Sequence, residues 1–305
     1  MKHIVKLILA LFLIFSIAAC TKPEPVEEVQ LQFLAPMGAP ALTLVEVAKD
    51  KKHVVSFVSG TDNLTAAFVN PNPQYDVILA PINLGVTLIS KGSTTYRLWG
   101  IATWGNLYII AQNEEVLREE GTIALFGENA VPQRVFNTVK DSFELNLVPN
   151  FAPSVNDAVA QLISGNAEAA MVAEPLLTAT LANHSQLRVV VDMQEQWKEV
   201  TGKSNYPQAA IFVEASRYEL HQAQIDAQLI GMKLYLEAAL SDSSQLKSDI
   251  DAVDPMTLGL PSSAVSVKAL QGMNVKIQPA AFVLGEIEAF LELFNLNDTA
   301  SYLLP

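Results

Sequence analysis

Apolar and polar positions along this chain repeat as one unit: a four- or five-residue apolar run, a break rich in glycine, proline, asparagine or threonine, then a segment of helical spacing. That alternation belongs to α/β folds. Gln32-Phe33-Leu34-Ala35 leads through Pro36–Pro40 into a helix predicted over Ala41–Lys49. Val54–Val58 leads through Ser59-Gly60-Thr61-Asp62 into a helix from Asn63, and Asp76–Ala80 leads through Pro81 into a helix over Asn83–Lys91. Tyr96–Ala102 and Leu107–Ala111 read as strands on either side of Thr103-Trp104-Gly105-Asn106.

A second unit begins near residue 113. Thr122–Phe126 is a strand, Gly127-Glu128-Asn129-Ala130 a turn, and Val131–Phe143 a helix with Pro132 in its first turn, where proline is tolerated. Leu145–Val148, Ala169–Ala173 and Leu187–Val191 read as strands, and Ser154–Ser164 as a helix closed by Gly165. Glu174-Pro175 opens another helix, and Gln208–Val213 returns the chain as a strand. The rest reads as helical, over Arg217–Ser241, Leu246–Val253, Ser262–Met273 and Gln278–Phe294, with Leu229, Met232, Leu236 and Leu240 forming a core stripe. In open α/β sheets, ligands sit beyond the carboxyl ends of strands against helix N-termini. Any one of the breaks at Pro36, Ser59, Pro81, Phe126 and Glu174 is explained as a connection; five of one kind predict a shared gap between two sheets.

The first thirty residues have a different pattern. Lys2 and Lys6 precede the apolar run Leu7–Ala19, and the acidic, proline-broken stretch Thr21–Glu28 follows. This reads as a secretory signal over residues 1–19, its apolar core shorter than the ~20 residues of a membrane span. An ordinary signal sequence would account for the charge and the core. Ile17-Ala18-Ala19-Cys20 also resembles the bacterial lipobox, which implies lipidation of Cys20 and a lipid-anchored tether over residues 20–30.

Loss of residues 1–19 leaves 286 of the 305 residues, enough for two compact units, and shifts the net charge from −13 to −15. That balance disfavours nucleic acid and anionic lipid as partners. Cys20 is the single cysteine, so packing rather than disulfides must hold the fold. His53, His184 and His221 are scattered, and no zinc-protease, nucleophile-elbow or phosphate-loop motif occurs. No metal, cofactor or enzymatic activity is expected.

Several residues carry two readings. Trp104 either stacks on a planar or cationic ligand or packs as core. Asn83 and Asn106 offer an amide to a ligand or cap turns, and Asp62 either binds a ligand N–H or caps its own helix. Glu174, held extended by Pro175, points a carboxylate out of a strand end, where it needs a partner. Gly127 lets backbone N–H groups approach a ligand or simply permits a tight turn. Tyr206 and Gln208 belong to the cleft or to a hinge. Glu195 and Trp197 read as part of a solvated helix.

Taken together, Pro36-Met37-Gly38-Ala39-Pro40-Ala41, Ser59-Gly60-Thr61-Asp62, Ala80-Pro81-Ile82-Asn83 and Thr103-Trp104-Gly105-Asn106 resemble the substrate-binding proteins of ABC importers. Phe126–Pro132, Ala173-Glu174-Pro175 and Tyr206-Pro207-Gln208-Ala209 continue the likeness. Within that family the chain is similar to the nitrate, taurine and aliphatic-sulfonate group, which includes binders of thiamine-pyrimidine precursors. The resemblance covers residues 31–295. It implies a two-lobed periplasmic-binding-protein fold of type II, each lobe a mostly parallel sheet flanked by helices. Residues 31–111 would begin lobe 1, 112–214 would form lobe 2, and 215–305 would return to lobe 1.

The implied function is a monomeric, membrane-tethered solute receptor that delivers its ligand to a permease driven by an ATPase. Ligand contacts would come from Met37, Gly38, Thr61, Asp62, Asn83, Trp104, Asn106, Gly127, Glu128, Asn129, Glu174, Tyr206 and Gln208. Asp62, Glu128 and Glu174 oppose an anion, with Arg134 the one nearby base, so a neutral or cationic, planar, nitrogen-containing ligand is expected. The alternatives are an anion receptor, or a lipoprotein sensor or adhesin on the same fold.

Overall fold

The computed structural model describes residues 29–304. The signal sequence, Cys20 and most of the tether therefore lie outside the described residues. Among the described residues, eleven strands fall into two sheets. β1 (Gln32–Pro36), β2 (Val54–Val58) and β3 (Val77–Pro81) are parallel to one another. They are joined by α1 (Ala39–Leu42), α2 (Val45–Asp50) and α3 (Asp62–Val69), and followed by α4 (Ile82–Ser90). β4 (Tyr96–Trp104), β10 (Pro207–Glu214) and β11 (Val275–Pro279) complete this sheet antiparallel, in the order β11-β4-β10-β3-β1-β2.

The second sheet has the order β7-β6-β8-β5-β9. Its strands are β5 (Leu107–Ala111), β6 (Thr122–Leu125), β7 (Val148–Phe151), β8 (Ala169–Ala173) and β9 (Arg188–Asp192). α5 (Val131–Val139), α6 (Val155–Ile163), α7 (Leu176–Asn183) and α8 (Met193–Thr201) connect them. α9 (Ala215–Ser241), α10 (Ser244–Val253), α11 (Ser263–Ala269) and α12 (Leu284–Leu291) then return to the first sheet.

Several expectations shift. The helix over Ala41–Lys49 is two short helices, because the Thr43 hydroxyl donates to the Pro40 carbonyl at 2.7 Å and Leu44 leaves helical geometry. The segment Gln278–Phe294 is not one helix: Val275 and Ile277 are buried with Lys276 exposed between them, a strand alternation that pairs with β4. The lobe boundaries after 111 and 214 also move. Leu107–Ala111 pairs with β8 and β9, and Pro207–Glu214 pairs with β3 and β4. The chain therefore crosses between sheets at Gly105-Asn106 and returns over Gly202–Tyr206.

Behind the crossings the two sheets share one core. A continuous buried cluster runs from Leu34 and Ile78 in the first sheet, through Tyr206, Trp197 and Phe290, to Ile123 and Met171 in the second. Tyr206 stacks on Phe290 at 6.1 Å and meets Trp197 edge-on at 5.2 Å. Trp197 is 1 % exposed, so the helix expected to be solvated turns one face inward to brace the crossing, while Glu195, Lys198 and Glu199 on its other face are exposed. The outer faces of the sheets carry separate cores, one under α9 and one under α6 and α7.

Candidate ligand-binding cleft

The crossing strands are tied to each other by the backbone. The Gly105 N–H donates to the Tyr206 carbonyl at 2.9 Å and to Asn205 Oδ1 at 3.1 Å, and Asn274 donates to the Gly105 carbonyl at 2.6 Å. A Cβ on Gly105 would fall 2.4 Å from the Tyr206 ring, so only glycine fits where the two links pass. A polar pin lies beside them. Gln194 accepts from the Leu107 N–H (2.9 Å) and the Tyr206 hydroxyl (2.6 Å), and donates to the Leu107 carbonyl (3.0 Å) and Asp192 (2.9 Å).

In front of the crossings lies a cavity of ≈ 760 Å³, within the size range of small-molecule sites. Its wall is built from strand ends and helix starts. Lobe 1 supplies Pro36–Pro40, Pro81, Thr103, Gln208-Ala209 and the loop Gly259-Leu260-Pro261; lobe 2 supplies Phe126, Val131-Pro132, Val155-Asn156 and Ala173–Leu176, with Asn106-Leu107 at the link. The first turns of α5, α6 and α7 face it, so peptide dipoles make this side mildly electropositive. Glu174 is the one charged side chain on the wall, and among the described residues no lysine or arginine lines it.

Glu174 is 9 % exposed. Its carboxylate accepts from the Thr178 N–H at 3.0 Å and the Thr178 hydroxyl at 2.8 Å, capping α7. Burial pushes this carboxyl above its ordinary value of 4.5, while the two Thr178 bonds and, more weakly, Lys268 pull it down. The Glu174–Pro175 peptide is cis.

Of the residues singled out from the sequence, Met37, Gly38, Asn106, Glu174 and Gln208 come together on this wall. The others do not line it. Thr61 and Asp62 are exposed at the end of β2, the edge strand, whose carboxyl end lies to one side. Neither Thr61 nor Asp62 caps α3 through its side chain: Thr61 is the N-cap without such a bond, and Asp62 is the first helical residue. Glu128 and Asn129 are exposed on the β6–α5 turn, where Asn129 (φ 58°) donates its N–H to Gln133.

Gly127 takes φ 70° in that turn, and a Cβ there would fall 2.6 Å from the Pro132 ring, so the turn itself accounts for it. Asn83 sits in the first turn of α4 with its Oδ1 buried and unpartnered, off the cavity wall. Trp104 is 5 % exposed in β4, with its indole N–H on the Lys276 carbonyl at 3.0 Å; it is core, because the strand continues through Thr103-Trp104. Tyr206 is fully buried in the aromatic brace.

The wall residues unforeseen from sequence are Leu107, Val155-Asn156, Leu176 and Gly259-Leu260-Pro261. Ser154 does cap α6 by accepting from the Asp157 N–H, so the start of that helix was legible without its place in the cleft.

No protein-family model matches the chain, and no curated protein matches it. Solved structures do. An ABC transporter from Parabacteroides distasonis superposes with a TM-score of 0.75 at 15% identity, over 91% of this chain and 99% of that one. The periplasmic aliphatic sulphonate binding protein SsuA from Escherichia coli gives 0.67 at 16% identity, over 92% and 93%. The chain has the two-lobed binding-protein fold. A mutant of DSZB in complex with biphenyl-2-sulfinic acid shares it, with a TM-score of 0.56 at 14% identity over 90% and 96%. On this fold the chemistry is set by the wall residues rather than by the architecture. Here that wall offers apolar surface, four amides or hydroxyls (Thr103, Asn106, Asn156 and Gln208) and one buried carboxyl, with no nucleophile–base pair among the described residues.

Proposed function

We propose that this chain is the solute-binding receptor of an ABC importer, which closes two lobes about a small molecule and hands it to a permease. The observation that carries this reading is a single cavity of ≈ 760 Å³ at the carboxyl ends of both sheets, directly in front of two bonded chain crossings. Such crossings allow hinge motion between lobes. Cys20, as a lipidated first residue, would hold the receptor at the outer face of the membrane. A Cys20→Ala variant should then leave the membrane fraction on cell lysis, and its retention there would sink the anchor.

The ligand we favour is neutral or cationic, planar and nitrogen-containing. Support comes from Glu174, Asn106 and Gln208 on the wall, with Phe126 rather than Trp104 as the aromatic face. A second reading, an anionic ligand of the sulfonate kind, draws on the three helix starts that face the cavity and on the sulphonate-binding neighbour. Against it stands Glu174, with no cation on the described wall to offset it. Calorimetry decides: heterocyclic amines should bind while taurine and nitrate stay inert, and tight binding of the anions alone would reverse the assignment.

A further inference from the structure

The cavity wall divides into two chemistries that occupy different places. Its polar side chains, Asn156 at the start of α6 apart, gather at the crossings. Thr103 pairs with Ala209 across β4 and β10, and Gln208 precedes Ala209. Asn106 and Glu174 meet through the Glu174 N–H to the Asn106 carbonyl at 3.3 Å and the Asn106 amide to the Glu174 carbonyl at 3.4 Å. Apart from Asn156, the remaining wall is apolar and comes from both lobes, with Met37 and Leu260 from one and Phe126, Val155 and Leu176 from the other.

Met37 is the informative member. It is 39 % exposed, yet its backbone is fixed: its N–H donates to the Val58 carbonyl at 2.9 Å and the next N–H to the Leu258 carbonyl at 2.8 Å. Gly259 leaves the space its side chain occupies, since a Cβ there would fall 2.5 Å from Met37 Cβ. A thioether displayed on a fixed backbone is an adaptable apolar contact. A compact polar ion would use none of this surface.

We propose, on the receptor reading above, that the ligand is an elongated amphipathic molecule, its nitrogen-bearing end against Asn106, Glu174 and Gln208 and its apolar body between Met37 and Phe126. The apolar body touches both lobes at once, so its burial favours the closed form, while the polar end fixes direction. Transfer of each methylene from water is worth about 0.8 kcal/mol, which is about fourfold in affinity.

The test is calorimetry of the full chain with benzylamine, 2-phenylethylamine, 3-phenylpropylamine and 4-phenylbutylamine, beside the matching phenylalkane sulfonates. The dissociation constant should fall about fourfold per added methylene among the amines. Met37→Ser should flatten that slope, and Glu174→Gln should weaken all four amines by one common factor, both with unchanged circular dichroism. A flat amine series, no amine binding, or sulfonates that bind as tightly overturns the amphipath. If a compact solute is still recovered from the denatured protein in that event, the receptor reading stands; if no solute of any kind is recovered, both fall.

Discussion

Replacing Gln194 by alanine strips the crossing of its pin. The native side chain is 9 % exposed and serves the Leu107 N–H and carbonyl, the Tyr206 hydroxyl and Asp192. Its removal leaves at least two buried donors, the Leu107 N–H and the Tyr206 hydroxyl, without those acceptors. Each buried group left unpaired costs about 1–3 kcal/mol, so Gln194→Ala should destabilise by about 2–6 kcal/mol. That is a large share of the 5–15 kcal/mol that typically separates native from unfolded protein.

Urea denaturation followed by circular dichroism reads the loss as a lower midpoint at constant slope. The companion variant sharpens the test. Tyr206→Phe alone removes one bond, but in the Gln194→Ala background it removes an orphaned hydroxyl, so the second substitution should cost less there or even restore stability. If Gln194→Ala costs under about 1 kcal/mol, or the two losses simply add, the pin is not what joins the lobes.

Three further outcomes follow from the same geometry. Gly105→Ala should cost about 1–3 kcal/mol in the same denaturation assay, because its Cβ would meet the Tyr206 ring at 2.4 Å. Gly272→Val should loosen closure with the fold intact: a Cβ at Gly272 already lies 3.2 Å from Glu174 Cγ and from the Tyr108 hydroxyl across the lobes, so the branched side chain holds them apart, and small-angle scattering should report a larger radius of gyration with weaker ligand binding. Glu174 gives a pH dependence with a definite sign. Its native pKa is raised by burial, so the folded state holds the proton more tightly, and stability should fall as pH climbs from about 4.5 through the native value. Glu174→Gln should remove that decline, and an unchanged pH profile in the variant would refute the assignment.

Much of the fold was legible because the local signals agree with the final structure. Strands β1, β2, β3 and β8 are short apolar runs ended by proline, glycine or glutamate, and their helices follow at once. What escaped depended on pairing between distant segments. Trp104 looked like a loop residue because Gly105-Asn106 follows it, yet β10 draws Thr103-Trp104 into the sheet from a hundred residues away. Leu107–Ala111 and Pro207–Glu214 carry no mark of which sheet they join; only hydrogen-bond partners assign them.

Other misses had a signal. Met193 and Trp197 are four apart on α8, the spacing of a buried face, and Val275-Lys276-Ile277-Gln278 alternates as a strand should. For the cleft, the breaks at Pro36, Pro81, Phe126 and Glu174 reach a common wall, while that at Ser59 does not, because β2 is the edge strand. Gly259-Leu260-Pro261 enters the wall from a loop between two helices, where sequence shows a turn and nothing more.

Receptor function requires that a guest molecule occupy the space between Met37, Asn106, Glu174 and Gln208. Mass spectrometry of small molecules released on denaturing the purified full chain tests this most directly, with an Ala209→Trp variant as the blocked control. The native chain should release a stoichiometric nitrogen-containing organic molecule, and the variant should release none. Equal release from both proteins, or an inorganic anion as the released species, would contradict this.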